Sequence, residues 1–205
     1  MKPHTVRRAV AAWLSTAALA GCSTTSPPMR YHSLVAALPP SGVGATALPA
    51  PTLRVQVLPV VMPAQVDLPQ LVVRNADDSL SVLEYERWIA PLGEEIREAV
   101  TLRIDRLLAQ IGPGAPPASD RTWRVRIDVQ RFDSMLGRAA GMQVQWSLRA
   151  AGGGLSLRCQ ASYEQPVGPG VGALAGGHRA LVEQLGDVIG QAIKTAAAGG
   201  EPSCG

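Results

Sequence analysis

Apolar and polar residues alternate along two regions of the chain. In the first region the alternation begins at Leu53, and two short apolar stretches follow at Leu71–Arg74 and Ser79–Leu83. In the second region three alternating stretches run from Trp123 to Tyr163. A period of two residues is typical of strands with one buried face. The pattern therefore predicts about six strands.

Two other stretches have the period of amphipathic helices. The first starts near Trp88, with Pro91 in its first turn and with Glu94 and Glu95 at the positive end of the helix dipole. It is expected to end at Gly112–Gly114. The apolar positions are Ile89, Leu92, Ile96, Val100, Ile104, Leu107 and Ile111 in the first helix, and Leu181, Leu185, Val188, Ile189, Ala192 and Ile193 in the second.

The order of these elements, strands–helix–strands–helix, predicts the fold class. Gly152–Gly154 has the composition of a hairpin turn between two alternating strands. Alternation with one polar face indicates an antiparallel sheet, and the two helices then cover its apolar face. We expect an α+β fold of this kind, with Tyr31–Leu34 as a candidate for a further brief strand.

The chain divides into four parts. Residues 1–21 form a lipoprotein signal peptide, and residues 22–51 a lipidated N-terminus with an uncharged Ala/Pro/Gly-rich segment, predicted to be flexible. Residues 52–198 form one α+β domain, and 199–205 a C-terminal tail. If the whole N-terminal part is extended, at about 3.3 Å per residue, the domain stands tens of ångströms from the membrane.

The leader has the layout of a bacterial signal peptide. An apolar run, Ala9–Ala20, follows basic residues, and Leu19–Cys22 matches the lipobox. A run of about a dozen residues is shorter than the ~20 needed to cross a bilayer. We expect a diacylglycerol and an N-acyl chain on Cys22, which together anchor a protein stably to a membrane. The alternative is an ordinary cleaved signal peptide that has a cysteine nearby. In an enteric-like Gram-negative host, Ser23 then indicates sorting to the outer membrane, with the protein on its periplasmic face.

Removal of the leader changes the charge of the chain. The full sequence has 19 Lys and Arg against 16 Asp and Glu, and the leader holds three of the basic residues and no acidic one. The remaining chain has 16 of each sign. Nucleic-acid binding needs a basic stripe, so this balance argues against a nucleic-acid partner.

The cysteines allow two arrangements. With Cys22 lipidated, Cys159 and Cys204 remain in a compartment that permits disulfides. A bridge would tie the tail to the domain; alternatively, Cys159 is buried and Cys204 is unpaired. Two cysteines without a nearby histidine pair do not form a zinc site, and we expect no bound metal.

The sequence contains no common catalytic motif. It lacks a nucleophile elbow, a zinc-protease helix and a phosphate loop. Glu94 and Glu95 are adjacent on a helix, so their side chains diverge, and a solvated helix start explains them. His178 is interpreted as a polar residue at the entry of the last helix. We expect no enzymatic activity and no cofactor besides the lipid on Cys22.

Three segments of the chain resemble the PqiC-like lipoproteins, which are auxiliary components of ABC-type transport systems with MCE-domain proteins. The segments are Val55–Val60, a strand ending near Pro59; Val66–Arg74; and Arg87–Leu92, a tryptophan-containing helix start. The chain departs from the family pattern at Leu68, where Arg is common, and at Ile89, where Ala is usual.

The resemblance implies a transport function. Such a lipoprotein is expected to sit on the outer membrane, to dock the periplasmic MCE-domain protein, and to assist the movement of phospholipids or other hydrophobic molecules between the two membranes. Self-association into a ring is also compatible with a tubular partner. Two other functions remain open: an envelope-assembly scaffold without a transport ATPase, and a lipid-anchored hydrolase.

Residues of the family-like segments are candidates for a partner interface or for a structural motif. They are Asp67, Pro69, Arg74, Arg87 and Trp88. In the structural interpretation Trp88 is a core residue, and Arg74 or Arg87 binds a carboxylate such as Asp67 or Glu84. In the other interpretation the same residues face a partner.

Overall fold

The structure is a computed structural model that describes residues 27–36, 53–109 and 122–205. The predicted signal peptide, the lipidation site Cys22, most of the uncharged N-terminal segment and the glycines expected to end the first helix lie outside these ranges.

The described residues form seven strands and two helices, in the order strands–helix–strands–helix. They are β1 (Arg30–His32), β2 (Arg54–Val57), β3 (Gln70–Arg74), β4 (Leu80–Trp88), α1 (Leu92–Leu108), β5 (Thr122–Met135), β6 (Ala139–Ala150), β7 (Ser156–Pro166) and α2 (Val171–Ala197). The α+β class predicted from the periodicity is confirmed.

The strands form two mixed sheets and not one antiparallel sheet. The first sheet has the order β1-β4-β3, and the second has the order β2-β5-β6-β7. The β1–β4 and β2–β5 pairs are parallel, and the other pairs are antiparallel. Alternation reports which side of a strand is buried but not which strand lies beside it, so it could not reveal these long-range parallel pairs.

Both helices begin at positions different from those predicted. The strand β4 continues through Trp88, which pairs with His32 of β1, so α1 starts only after Pro91, its N-cap residue. The helix α2 starts at Val171, after Gly170, which has a positive φ of 91° and provides no side-chain cap. The early start places His178 inside the helix, where it is fully buried.

The two helices approach each other closely at two glycines of α2. A Cβ atom at Gly186 would lie 2.8 Å from Cβ of Arg103, and one at Gly190 would lie 2.7 Å from Cδ1 of Leu107. These separations are too short for nonbonded carbon atoms, so glycine allows the helices to pack at this distance.

One hydrophobic core joins all the layers. The helix α2 packs on β6 and β7, and α1 packs on α2 and β2. Alternate residues of the second sheet, such as Val125, Ile127 and Trp146, point into this core. The opposite face of the second sheet carries the polar residues. Neither of the described helices has the length and apolar character needed to cross a membrane.

Candidate functional site

The structure separates the five residues that the family-like segments single out. Trp88 is buried in the core, and Arg74 is half-buried. Asp67 and Pro69 are exposed in the loop before β3, and Arg87 is half-buried on β4. The five residues therefore do not form one surface, because strand alternation turns Trp88 to the core side and Arg87 to the other side.

Arg74 does bind a carboxylate, but that carboxylate is neither Asp67 nor Glu84. Its Nε and Nη2 atoms donate to Oδ1 of Asp133 at 3.0 and 2.9 Å. Nη2 of Arg131 donates to Oδ2 of the same residue at 2.7 Å. The strand β3 packs beside β5, which carries Asp133, so the partner comes from the other sheet. The ion pair therefore helps to hold the two sheets together.

Arg87 has no ion pair with Asp67 or Glu84 either. Its Nε atom is buried and lacks a hydrogen-bond partner among the described residues. In sequence it lies between two exposed apolar or aromatic residues, Tyr85 and Ile89, at alternate positions.

A buried aromatic cluster lies where the two sheets and α2 meet. The rings of Phe132 and His178 stack with their centroids 3.9 Å apart. The Trp88 ring packs edge-on against both, at centroid distances of 6.3 Å. Each residue comes from a different element, β5, α2 and β4, so the cluster joins three parts of the fold.

His178 is bonded inside this cluster rather than positioned at a helix entry, so the interpretation from sequence was wrong. Its Nε2 atom lies 2.8 Å from Oγ of Ser134. Burial lowers the pKa of His178 to about 3, and the nearby carboxylate of Asp133 offsets only part of this effect. Ser134 is 3% exposed and His178 is 0% exposed. The Ser–His pair is thus closed to solvent and to a substrate.

The first sheet exposes an apolar patch around the end of β4, which we define by Tyr31, Leu68, Tyr85 and Ile89. Tyr31 is 58% exposed and Ile89 is 59% exposed. Tyr31 pairs with Arg87, which places it on the same face as Tyr85 and Ile89. Leu68 precedes Pro69, whose carbonyl accepts a hydrogen bond of 2.9 Å from the backbone N–H of Trp88.

The N-terminal segment is held against the body beside this patch. Oε2 of Glu95 accepts hydrogen bonds of 2.7 Å from Oγ of Ser33 and from the backbone N–H of Leu34. Nη2 of Arg179 donates to the carbonyl of Ser33 at 2.8 Å. Glu95 is only 3% exposed, so it is a buried binding partner for this segment and not the solvated residue that the sequence indicated.

The second sheet exposes a basic surface that the sequence analysis missed. Four exposed arginines, Arg124, Arg126, Arg149 and Arg158, lie on its outer side; we call them the arginine face. They line an open depression of about 1020 Å³. The net charge of the whole chain did not reveal this surface, because the arginines come from three strands and most of the acidic residues lie elsewhere; Asp128 is the acidic residue that lines the depression.

The tail is joined to the second sheet by a disulfide. Cys159 of β7 and Cys204 are bonded, so the first of the two arrangements left open by the sequence is the one present. No group of three or more His, Cys, Asp or Glu side chains in the described ranges has a metal-binding arrangement.

Comparison with known proteins identifies what this chain resembles. The model of a family described as the ABC-type transport auxiliary lipoprotein component matches residues 36–190. No curated protein matches the sequence.

Solved structures with a similar fold include two that cover most of this chain. The crystal structure of an uncharacterized protein superposes with a TM-score of 0.61 at 14% identity, covering 82% of this chain and 99% of that one. A Xanthomonas campestris protein of the DUF330 family gives a TM-score of 0.59 at 17% identity, covering 82% and 96%. At these identities the likeness shows the fold alone.

Proposed function

The chain belongs to the ABC-type transport auxiliary lipoprotein family, and from this premise we propose that it is the accessory lipoprotein of a system that moves phospholipids or other hydrophobic molecules between the inner and outer membranes. The observation that carries the proposal is the family match over residues 36–190, which covers most of the described body. The partner in this proposal is a periplasmic MCE-domain protein.

The anchor in this proposal is a lipid on Cys22, with Ser23 directing the protein to the outer membrane. Because β1 is paired with β4, only the seven residues between Cys22 and Arg30 join such a lipid to the body. Fully extended, this spacer reaches about 26 Å. In this proposal the reach of the tether is set by the spacer before β1, because the uncharged segment follows β1 in the chain. A short tether raises the effective concentration of the body for a partner that reaches the membrane.

The apolar patch is the surface that we assign to the partner protein. Tyrosine and arginine are enriched in protein interfaces, and Tyr31 and Tyr85 flank Arg87 here. Several exposed apolar side chains beside one another are also typical of an interaction site. Asp67, exposed in the loop next to Leu68, supplies a charged rim.

We also propose that the protein is not an enzyme. Ser134 and His178 are a serine and a histidine within hydrogen-bonding distance in the part of the chain that the structure describes, and both side chains are buried. A histidine whose pKa is about 3 is a weak base at neutral pH. These observations favour a structural function for the pair.

The proposal is tested by photo-crosslinking in intact cells that produce the full chain. A photoreactive amino acid is placed at position 89 in the apolar patch, and at position 97 on the exposed side of α1 as a matched control. The crosslinked proteins are then identified by mass spectrometry. We expect an MCE-domain protein at position 89 and not at position 97.

Other outcomes contradict the proposal in distinct ways. Crosslinks from position 89 only to outer-membrane assembly proteins would favour the alternative function, an envelope scaffold without a transport ATPase. Crosslinks only to lipid or to a second copy of the chain would show that the patch is not the surface for the transport partner.

A further inference from the structure

We propose that the arginine face binds the phosphate headgroup of an anionic phospholipid. The four arginines that define it, Arg124, Arg126, Arg149 and Arg158, belong to β5, β6 and β7. The choice of a membrane lipid as the occupant rests on the proposed function, whereas the anionic character of the occupant rests on the residues alone.

The strand register brings the arginines together on one side of the sheet. Arg124 and Arg149 are direct cross-strand partners. Ser147 pairs with Arg126 on one side and with Arg158 on the other, so these two arginines flank a small residue. Side chains directly opposite each other have Cβ atoms about 5 Å apart, and neighbouring strands are about 4.8 Å apart. The four arginine side chains therefore leave the same side of the sheet from neighbouring positions on three adjacent strands.

The arginine face has no acidic partners among the residues that the structure describes. The ion pairs found in those ranges involve other cations, such as Arg74, Arg97 and Arg103. Asp128 also lines the depression, but its Oδ1 atom accepts a hydrogen bond from Nε2 of Gln130 at 2.7 Å. Asp128 therefore offsets part of the positive charge of this face, and the four arginines, which form no ion pair within the described ranges, leave a net positive charge for an external anion.

A direct pair of like charges across two strands is unfavourable for the fold. The second sheet contains such a like-charged pair at Arg124 and Arg149. By contrast, five other arginines in the described ranges each have an acidic partner. A bound anion between the two guanidinium groups removes the repulsion. Arginine matches the oxygens of a phosphate with paired N–H donors, which makes phosphate the anion that fits best.

The depression also suits an amphiphile rather than a bare ion. Its volume of about 1020 Å³ far exceeds that of one phosphate and is comparable with small-molecule sites. Leu58 and Leu155, both half-buried, line it together with the arginines. A phospholipid places its phosphate on the arginines and the start of its acyl chains on these leucines.

The test uses the full lipidated chain, purified in a maltoside detergent that carries no phosphate. The probe is dihexanoyl phosphatidylglycerol at a concentration below that at which it forms micelles, and binding is followed by calorimetry. Inorganic phosphate and uncharged dihexanoylglycerol are the comparison ligands. We expect the phosphatidylglycerol to bind and each comparison ligand to bind at least about tenfold more weakly, since each lacks one part of the contact.

The variant is the double substitution Arg124→Gln and Arg149→Gln, and we expect it to weaken phosphatidylglycerol binding at least about tenfold. The matched control, Arg106→Gln with Arg138→Gln, removes the same charge from exposed positions elsewhere and should leave binding unchanged. Melting curves of both variants show that each is folded.

Several results would overturn the inference. Equal binding of inorganic phosphate would indicate an ion site, and equal losses in the two double variants would indicate nonspecific attraction. If none of the three ligands binds, the arginine face is not a phospholipid site, and the result would favour an acidic protein surface as its binding partner. Failure of the crosslinking at position 89 bears on the proposed function alone, so the two proposals can fail separately.

Discussion

The two sheets of this protein present different chemistry to their surroundings. The first sheet, which holds the N-terminal strand, exposes aromatic and aliphatic side chains such as Tyr31 and Ile89. The second sheet exposes arginines such as Arg124 and Arg149. Both sheets rest on the same core, so the fold separates an apolar contact surface from a cationic one. We infer that contact with a partner protein and contact with an anionic ligand occur at different places.

The largest expected effect on stability comes from Trp88, which joins the first sheet to the second sheet and to α2. Trp88→Ala removes the ring that packs against both Phe132 and His178. We expect a loss of about 3–5 kcal/mol in the free energy of unfolding, measured by urea denaturation. The control is Ile89→Ala at the exposed neighbouring position, which should cost about 0.5 kcal/mol or less. Similar losses in both variants would show that Trp88 does not join the sheets.

Acid is expected to weaken the same junction. The pKa of His178 is lowered from 6.5 to about 3 in the folded protein. Between pH 6.5 and pH 3 the unfolded chain therefore binds a proton at His178 that the folded chain does not bind. The free energy of unfolding falls as the pH decreases through this range. The slope from this residue is at most about 1.4 kcal/mol per pH unit.

The variant His178→Gln isolates this contribution, because glutamine is not protonated and can still bond Ser134. Unfolding free energies of both proteins are measured between pH 7 and pH 4.5. We expect the variant to lose stability less steeply as the pH falls. Parallel curves would mean that the folded protein admits the proton at His178 as readily as the unfolded chain does.

A paired arginine and an unpaired arginine should respond differently to the same substitution. Arg74→Gln breaks the bonds to Asp133 between the two sheets and is expected to cost about 1.5–3 kcal/mol, measured by urea denaturation. Arg97→Gln, which affects an exposed pair within one helix, is the control and should leave stability unchanged. No loss for Arg74→Gln would show that the ion pair between the sheets contributes nothing to stability.

The smallest expected effect has the opposite sign. Arg124→Gln removes the repulsion from Arg149. We therefore expect the free energy of unfolding, measured by urea denaturation in a buffer without phosphate, to increase by about 0.2–1 kcal/mol. The control is Arg138→Gln, an exposed arginine in the turn between β5 and β6, where no change is expected. A destabilised Arg124→Gln protein would show that the arginine face is structural and not reserved for a ligand.

Much of the fold follows from local patterns in the sequence. Period-two alternation locates β2, β5, β6 and β7, and helical spacing locates both helices, because burial on one side imposes these periods. Two short apolar stretches locate β3 and the first part of β4. The pairing of β1 with β4 and of β2 with β5 did not follow, since parallel partners far apart in the chain leave no periodic signal. The last helix was predicted to start late because Gly170 offers none of the usual side-chain caps.

The candidate site was predictable only in part. One of the two interpretations left open by the sequence placed Trp88 in the core and paired Arg74 or Arg87 with a carboxylate such as Asp67 or Glu84; the carboxylate that Arg74 binds is Asp133. The alternation that begins at Trp123 was followed only to Gln130, whereas β5 extends to Met135, so Asp133 and Ser134 near its end were not considered. The arginine face was missed for a different reason: an equal number of charges in the whole chain says nothing about their separation, which depends on strand register.

The most direct test of the division between the two sheets is the yield of MCE-domain protein that copurifies with each of two variants from crosslinked cells. The variants are Ile89→Asp in the apolar patch and Arg124→Gln with Arg149→Gln in the arginine face, at equal levels of folded protein. We expect Ile89→Asp to lose the partner and the arginine variant to retain it. Loss in both variants, or in neither, would contradict the account.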